Sequence, residues 1–312
     1  MPYRASRIQG SFASNTVFGY PLPPNTFVSI DDGIAISGPE LLFCEMGSTM
    51  RPEVLALLGY ELCGTFARDP IHPRDGAVGH FLPPTTNTEQ IAKLLGGVSF
   101  VHGIDGARTA LTLVRDNAWS ACEAIVSLML CLPIERGGYG ISNIHLNERR
   151  PADFELLAAG AATSRVPDIV LEDIPVDMNY DGEEHLDLRS VADAAIECGT
   201  HPESGQARER LDRAMSSARR RYVEDRRRDR ELVVSGRTLL TVTKEDLYQR
   251  GGLDDVMRLA ALATERRYGR KLRELSDALH DTELTRMRQE LLWSLLPGQR
   301  GRELSAKLAR GC

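Results

Sequence analysis

The run Val176-Asp177-Met178-Asn179-Tyr180-Asp181 alternates apolar and polar residues at every step. Side chains of an extended strand point alternately to opposite faces, so Asp177, Asn179 and Asp181 share one side and Val176, Met178 and Tyr180 the other. This pattern predicts a strand in a sheet with one apolar face. Upstream, Asp168-Ile169-Val170-Leu171 reads as its hairpin partner. Glu172-Asp173 supplies a tight acidic turn between them, and Asp181-Gly182 marks the far end. In such a hairpin a carboxylate from each strand comes near a common point.

The flanking segments extend this hairpin into a core. Ser120-Ala121-Cys122-Glu123 opens an apolar helix that stops at Pro133, and Gly137-Gly138-Tyr139-Gly140 forces a turn. After a polar stretch through His201-Pro202, residues 203 to about 234 form a long arginine-rich helix that ends near Ser235-Gly236. Thr238-Leu239-Leu240-Thr241-Val242 is a β-branched, apolar strand, and Thr243-Lys244-Glu245-Asp246 starts another helix. Helix, hairpin, helix and strand in that order predict an α/β fold, with helices packed on a mixed sheet.

Three regions result: residues 1–114, 115–250 and 251–312. The first reads as a small mixed domain. It has short extended pieces to about residue 36, a helix from Pro39, a break at Phe81-Leu82-Pro83-Pro84, a helix capped by Thr86 or Asn87, and another over Asp105 to Val114. The last reads as a helical segment. Its leucines Leu272, Leu275, Leu279, Leu284, Leu291 and Leu295 fit a packing seam within the chain or a homodimer interface.

Composition narrows the class. No apolar run approaches the roughly 20 residues that cross a bilayer, so no membrane partner is expected. Met1-Pro2-Tyr3-Arg4 lacks the apolar core of a secretory signal, and the expected location is cytoplasmic. The six cysteines include no Cys-x-x-Cys pair and read as reduced thiols. A net charge of −6 excludes a uniformly basic coat protein, but the charge is unevenly spread. Arg219, Arg220, Arg221, Arg226, Arg227, Arg228 and Arg230 fall in one short stretch, and the acids gather upstream, from Glu172 to Asp187. Arg220, Arg227 and Arg228 are candidate phosphate contacts on DNA. Glu224, Asp225, Asp229 and Glu231 lie among them at helical spacing, so a salt-bridged, solvated face is the competing reading.

Asp168, Asp177 and Asp181 are candidate ligands for Mg²⁺, which is commonly held by one or two carboxylates with phosphate oxygens. Such an ion activates water and neutralises a leaving oxygen. His185, four residues beyond Asp181, suits proton transfer because its ordinary pKa is about 6.5. At these residues the chain resembles the endonuclease-like domain related to very-short-patch-repair nucleases, of the restriction-endonuclease fold with its PD-(D/E)xK motif. Ser120-x-x-Glu123, Gly137-Gly138-Tyr139-Gly140, Asp168 and Asn179-Tyr180-Asp181-Gly182-x-x-His185 carry the likeness. The family pattern is D-x(10)-E-x-D-G-x-x-H, followed by an Asp/Arg-rich helix and a strand ending in V-x-T. Residues 225–229 and Leu240-Thr241-Val242-Thr243 supply those later parts. The resemblance implies a restriction-endonuclease-like core at 115–250 and a Mg²⁺-dependent endonuclease acting on double-stranded DNA. Asp168 and Asp181 would bind metal, His185 would move protons, and Glu123 would orient water or metal.

A looser similarity reaches the front region, through Ser37-Gly38-Pro39-Glu40-Leu41 and Leu58-Gly59-Tyr60-Glu61-Leu62-Cys63-Gly64. In some such proteins that region resembles the antitoxin of abortive-infection systems, a DNA-binding regulator.

Two departures stand out. The family's glutamate falls at Asn179, which is neutral; Asp181 or Asp177 would have to replace its charge, or the site is dead. The stretch between His185 and Asp225 is also longer than the family usually shows. Ser120-x-x-Glu123 is equally a helix capping box. A metal-dependent endonuclease and a non-catalytic DNA-binding or partner-binding regulator of a bacterial defence or toxin-antitoxin type are the two functional expectations, and Asn179 divides them.

Overall fold

A computed structural model describes residues 21–99, 101–182 and 188–310. The chain divides into two compact units, Met1–Leu128 and Met129–Cys312, and the division falls inside a helix. The class is mixed α/β. Among the described residues no helix is long and apolar enough to cross a membrane.

The first unit begins with a hairpin, β1 (Phe27–Asp31) and β2 (Ile34–Ser37), turned at Asp32-Gly33. Helices α1 (Pro39–Met46) and α2 (Pro52–Leu62) follow, each with proline in its first turn, where the missing N–H costs no hydrogen bond. A second hairpin, β3 (Phe66–Arg68) with β4 (Val78–His80), precedes α3 (Thr88–Gly97) and α4 (Ile104–Leu111). Asn87 caps α3 by accepting from the Gln90 N–H. Leu41, Phe43, Leu55, Tyr60, Ile91 and Ala107 are buried and form this unit's core. The start of α4 approaches the end of α1 so closely that a Cβ on Gly47 would lie 2.2 Å from the Gly103 carbonyl oxygen. The Leu58–Gly64 segment thus lies mostly in a core helix, and the Tyr60 hydroxyl donates to the Leu113 carbonyl over 2.8 Å. The sequence reading assigned no element to α2, although Pro52 followed by Leu55, Leu58, Gly59 and Leu62 is a helical signature.

The apolar helix α5 (Ala121–Cys131) carries the chain into the second unit. There a four-stranded mixed sheet has the order β10-β9-β8-β5, with β5 (Ile144–Leu146), β8 (Ile169–Leu171), β9 (Val176–Asp181) and β10 (Thr238–Thr243). The excursion between β5 and β8 holds β6 (Arg150–Pro151), α6 (Phe154–Ala158) and β7 (Ser164–Arg165). β5, β8 and β9 run antiparallel in sequence, and β10 lies parallel to β9. Between β9 and β10 come α7 (Leu188–Thr200) and α8 (Gly205–Val234), packed against one another. The segment read as polar contains α7, whose spacing of Val191, Ala194, Ala195 and Cys198 marks one helical face. Helix α8 is capped by Ser204, and it is followed by Gly236 at φ +95°, the left-handed stop expected from the sequence.

Beyond the sheet lie α9 (Lys244–Tyr248), α10 (Gly252–Tyr268), α11 (Arg273–His280), α12 (Thr282–Leu295) and α13 (Gly298–Ala309). Thr243 and Asp246 form a capping box on α9. The glycine-rich turn before β5 serves packing: a Cβ on Gly138 would lie 1.9 Å from the Leu132 carbonyl oxygen. It delivers Tyr139 to a buried ion pair. The Tyr139 hydroxyl donates to Asp254 over 2.7 Å, and Arg288 Nη1 reaches both Asp254 oxygens at 2.9 Å. The guanidinium stacks 4.7 Å above the Tyr139 ring. Burial, reinforced by the Asp254 charge, pushes the Tyr139 phenol well above its ordinary range.

Candidate nucleic-acid interface

The register sorts the sheet's side chains as the alternation predicts. Asp177 lies opposite Val170 and Leu239, and Asn179 opposite Thr241, so these share a face with Asp168. Asp168 is 7% exposed and Asn179 3%, so this polar row is closed to solvent. Two of its hydrogen bonds join the hairpin's own strands. The Asp168 N–H donates to Asn179 Oδ1 over 3.2 Å, and the Tyr180 N–H donates to Asp168 Oδ2 over 2.7 Å. These bonds pin the hairpin's register.

Asp177 has a different partner. Arg237 Nε donates to its Oδ1 over 2.8 Å, while Arg237 Nη2 donates to the carbonyls of Leu171, Ile174 and Val176. One guanidinium thus ties the β8–β9 turn to the start of β10. Burial pushes the Asp177 carboxyl above its ordinary range against the pull of Arg237. Asp181 is half-buried at the end of β9, level with Thr243. His185 lies outside the described residues. Glu123 belongs to the first unit, where it caps α5. Its N–H donates to Ser120 Oγ over 3.2 Å, Ser120 Oγ donates to its Oε1 over 3.0 Å, and its Oε2 accepts from the Trp119 N–H over 3.0 Å.

Among the described residues, the one group of three His, Cys, Asp or Glu side chains whose ligand atoms all lie within 4.8 Å is His145, Glu148 and Glu172. Asp168, Asp177 and Asp181 do not form such a group. The His145 trio is exposed, and Arg150 pairs with both Glu172 and Glu148, so a cation already balances it.

The polar row is covered by the C-terminal half of α8. Asn179 Nδ2 donates to Asp229 Oδ1 over 3.4 Å. Arg165 holds the helix from β7: Nε and Nη2 donate to Glu231 over 2.7 and 2.9 Å, and Nη1 donates to Glu224 over 2.6 Å. Arg165 holds the Glu231 carboxyl below its ordinary range. Arg228 also turns inward, 3.7 Å from Asp225 and 4.0 Å from Asp229.

With about 100° per residue, the azimuth of every charge on α8 follows from its number. Counting from Arg220, Glu224, Asp225, Arg228, Asp229, Glu231 and Leu232 fall between about 20° and 180°, and exposed Arg221 falls in the same arc nearer the middle of the helix. Arg219, Arg226, Arg227 and Arg230 fall between about 240° and 340°, beside Arg220. All five of these arginines are exposed. Only Arg226 among them pairs with an acid of the helix, at 2.9 Å from Asp229. Asp225, Asp229 and Glu231 are half-buried toward the sheet, and the opposite side is a stripe of guanidinium groups with exposed Tyr222 and Val223 among them. Arg226 lies 5.7 Å from the Tyr222 ring centre. Arg219, Arg226 and Arg230 join the stripe through helical azimuth, on the side away from buried Leu232.

Comparison of the chain with protein-family models, with curated proteins and with solved structures returns no match.

Proposed function

We propose that this protein binds double-stranded DNA through the arginine stripe of α8, as a non-catalytic relative of restriction-endonuclease-like proteins. The observation that carries the reading is the segregation of charge on α8: Arg219, Arg220, Arg226, Arg227 and Arg230 are exposed, whereas Asp225, Asp229 and Glu231 are half-buried and Glu224 is held by Arg165. A stripe from Arg219 to Arg230 is about 17 Å long, enough to follow several phosphates. The order of hairpin, arginine-rich helix and strand agrees with what the family resemblance implies for residues 115–250. Three features favour binding over cleavage. Asn179 is neutral, Asp177 is engaged by Arg237, and Asp168 supports the backbone of Tyr180. These residues as arranged do not make a donor set for Mg²⁺, and we derive no metal-assisted step.

The test is fluorescence anisotropy with a labelled duplex across a salt series. Affinity should fall as salt rises, with a log–log slope of roughly −3 to −4. Arg219→Gln with Arg230→Gln should make that slope about 2 shallower. Absence of binding at low salt, or binding indifferent to salt, overturns the proposal. Duplex nicking with Mg²⁺ that Asp168→Ala removes would establish the cleavage reading instead.

A further inference from the structure

The C-terminal half of α8 brings little apolar surface to its seat. The buried residues of this helix are Ala207 and Leu232, and only Leu232 lies in the half that covers the polar row. The half-buried side chains of that half are all charged: Asp225, Arg228, Asp229 and Glu231, with exposed Glu224 beside them. They meet Arg165 and Asn179, while Arg228 Nε is buried with no hydrogen-bond partner. Such a seat lacks the non-directional apolar burial that fixes a helix permanently. Its hold is concentrated in the fork of Arg165 on Glu231 and Glu224. An unsatisfied buried donor at Arg228 lowers the cost of leaving the seat.

We infer that the C-terminal half of α8 is a releasable strap, latched by Arg165 on Glu224 and Glu231, which closes over Asp168 and Asn179. Closed, it is an autoinhibitory contact that keeps the polar row from any ligand. Released, it frees both the row and the Arg165 guanidinium, a ready partner for phosphate. The strap goes beyond the DNA proposal and does not depend on it, because both latch and row belong to the protein alone.

Hydrogen–deuterium exchange of the full chain without nucleic acid tests it. Arg165→Ala should speed exchange of the amides of residues 224–234 by about tenfold, as loss of a charge-assisted pair implies. Residues 252–264 of α10 should be unaffected. The double change Arg165→Glu with Glu231→Arg should restore much of the protection. If Arg165→Ala does not fold, the wild-type protein moved from about 50 mM to about 1 M salt supplies the same readout, with residues 224–234 accelerating alone. Unchanged exchange in residues 224–234, or acceleration of α8 and α10 together, overturns the strap. Either result leaves the anisotropy test of DNA binding intact.

Discussion

Helices α8 and α10 both pack against β10, and they hold to it by opposite means. α10 turns Leu253, Val256, Met257 and Ala260 inward, and its one buried carboxylate, Asp254, is matched by Arg288 and Tyr139. α8 has Asp225, Arg228, Asp229 and Glu231 half-buried and keeps Arg219, Arg220, Arg226, Arg227 and Arg230 exposed. Apolar burial is insensitive to direction and little affected by ordinary salt, whereas partly exposed ion pairs weaken as salt or acid competes for them. One sheet thus carries a fixed helix and a helix that electrostatics can release. That division suits the DNA binding proposed for the exposed side of α8.

Three measurements would break or sharpen this contrast. The largest effect is expected at the buried pair. Arg288→Met leaves Asp254 as an uncompensated charge in the core and should lower the unfolding free energy in urea by about 3–5 kcal/mol. A loss below about 1 kcal/mol would show that water reaches Asp254 and that α10 is no better anchored than α8. Next comes the same truncation on each helix. Met257→Ala, at a position with no exposure, should cost about 2–5 kcal/mol, and Met215→Ala, at 54% exposure on α8, should stay within about 0.5 kcal/mol. Equal costs would erase the distinction.

The smallest effect is in pH dependence, where the signs separate. Glu231 is held below its ordinary 4.5 by Arg165, so its contribution is present above that value and is lost as pH falls through its lowered pKa. Asp177 is pushed above its ordinary 3.8 by burial, so its contribution is present below that value and is lost as pH rises through its raised pKa. Carbon-detected carboxyl titrations should place the two midpoints on opposite sides of the ordinary range. Arg165→Ala should move the Glu231 midpoint up toward its ordinary value. Coincident midpoints would mean that Arg165 does not grip the helix.

The local elements were largely legible because their determinants are local. The period of two from Val176 to Asp181, the glycine after α8 and the Thr243 cap each act within a few residues, and each forms the expected element. Helices α2 and α7 escaped because short apolar stripes mixed with polar residues carry a weak period. The site was legible in its members but not in their partners. That Asp168 and Asn179 lie side by side follows from hairpin register. That Arg237 takes Asp177, and that Arg165 claims Glu224 and Glu231, does not. Arg237 and Arg165 approach from segments roughly 60 residues away in the chain.

The sequence alone therefore determined the β8–β9 hairpin, β10 and the arginine-rich helix, whose energies are settled by neighbours along the backbone. Tertiary structure decided which side of that helix looks outward and which carboxylates are already neutralised. A charge several turns of chain away becomes a partner only when folding brings it within a few ångströms, where Coulomb attraction in a desolvated setting exceeds what water offers.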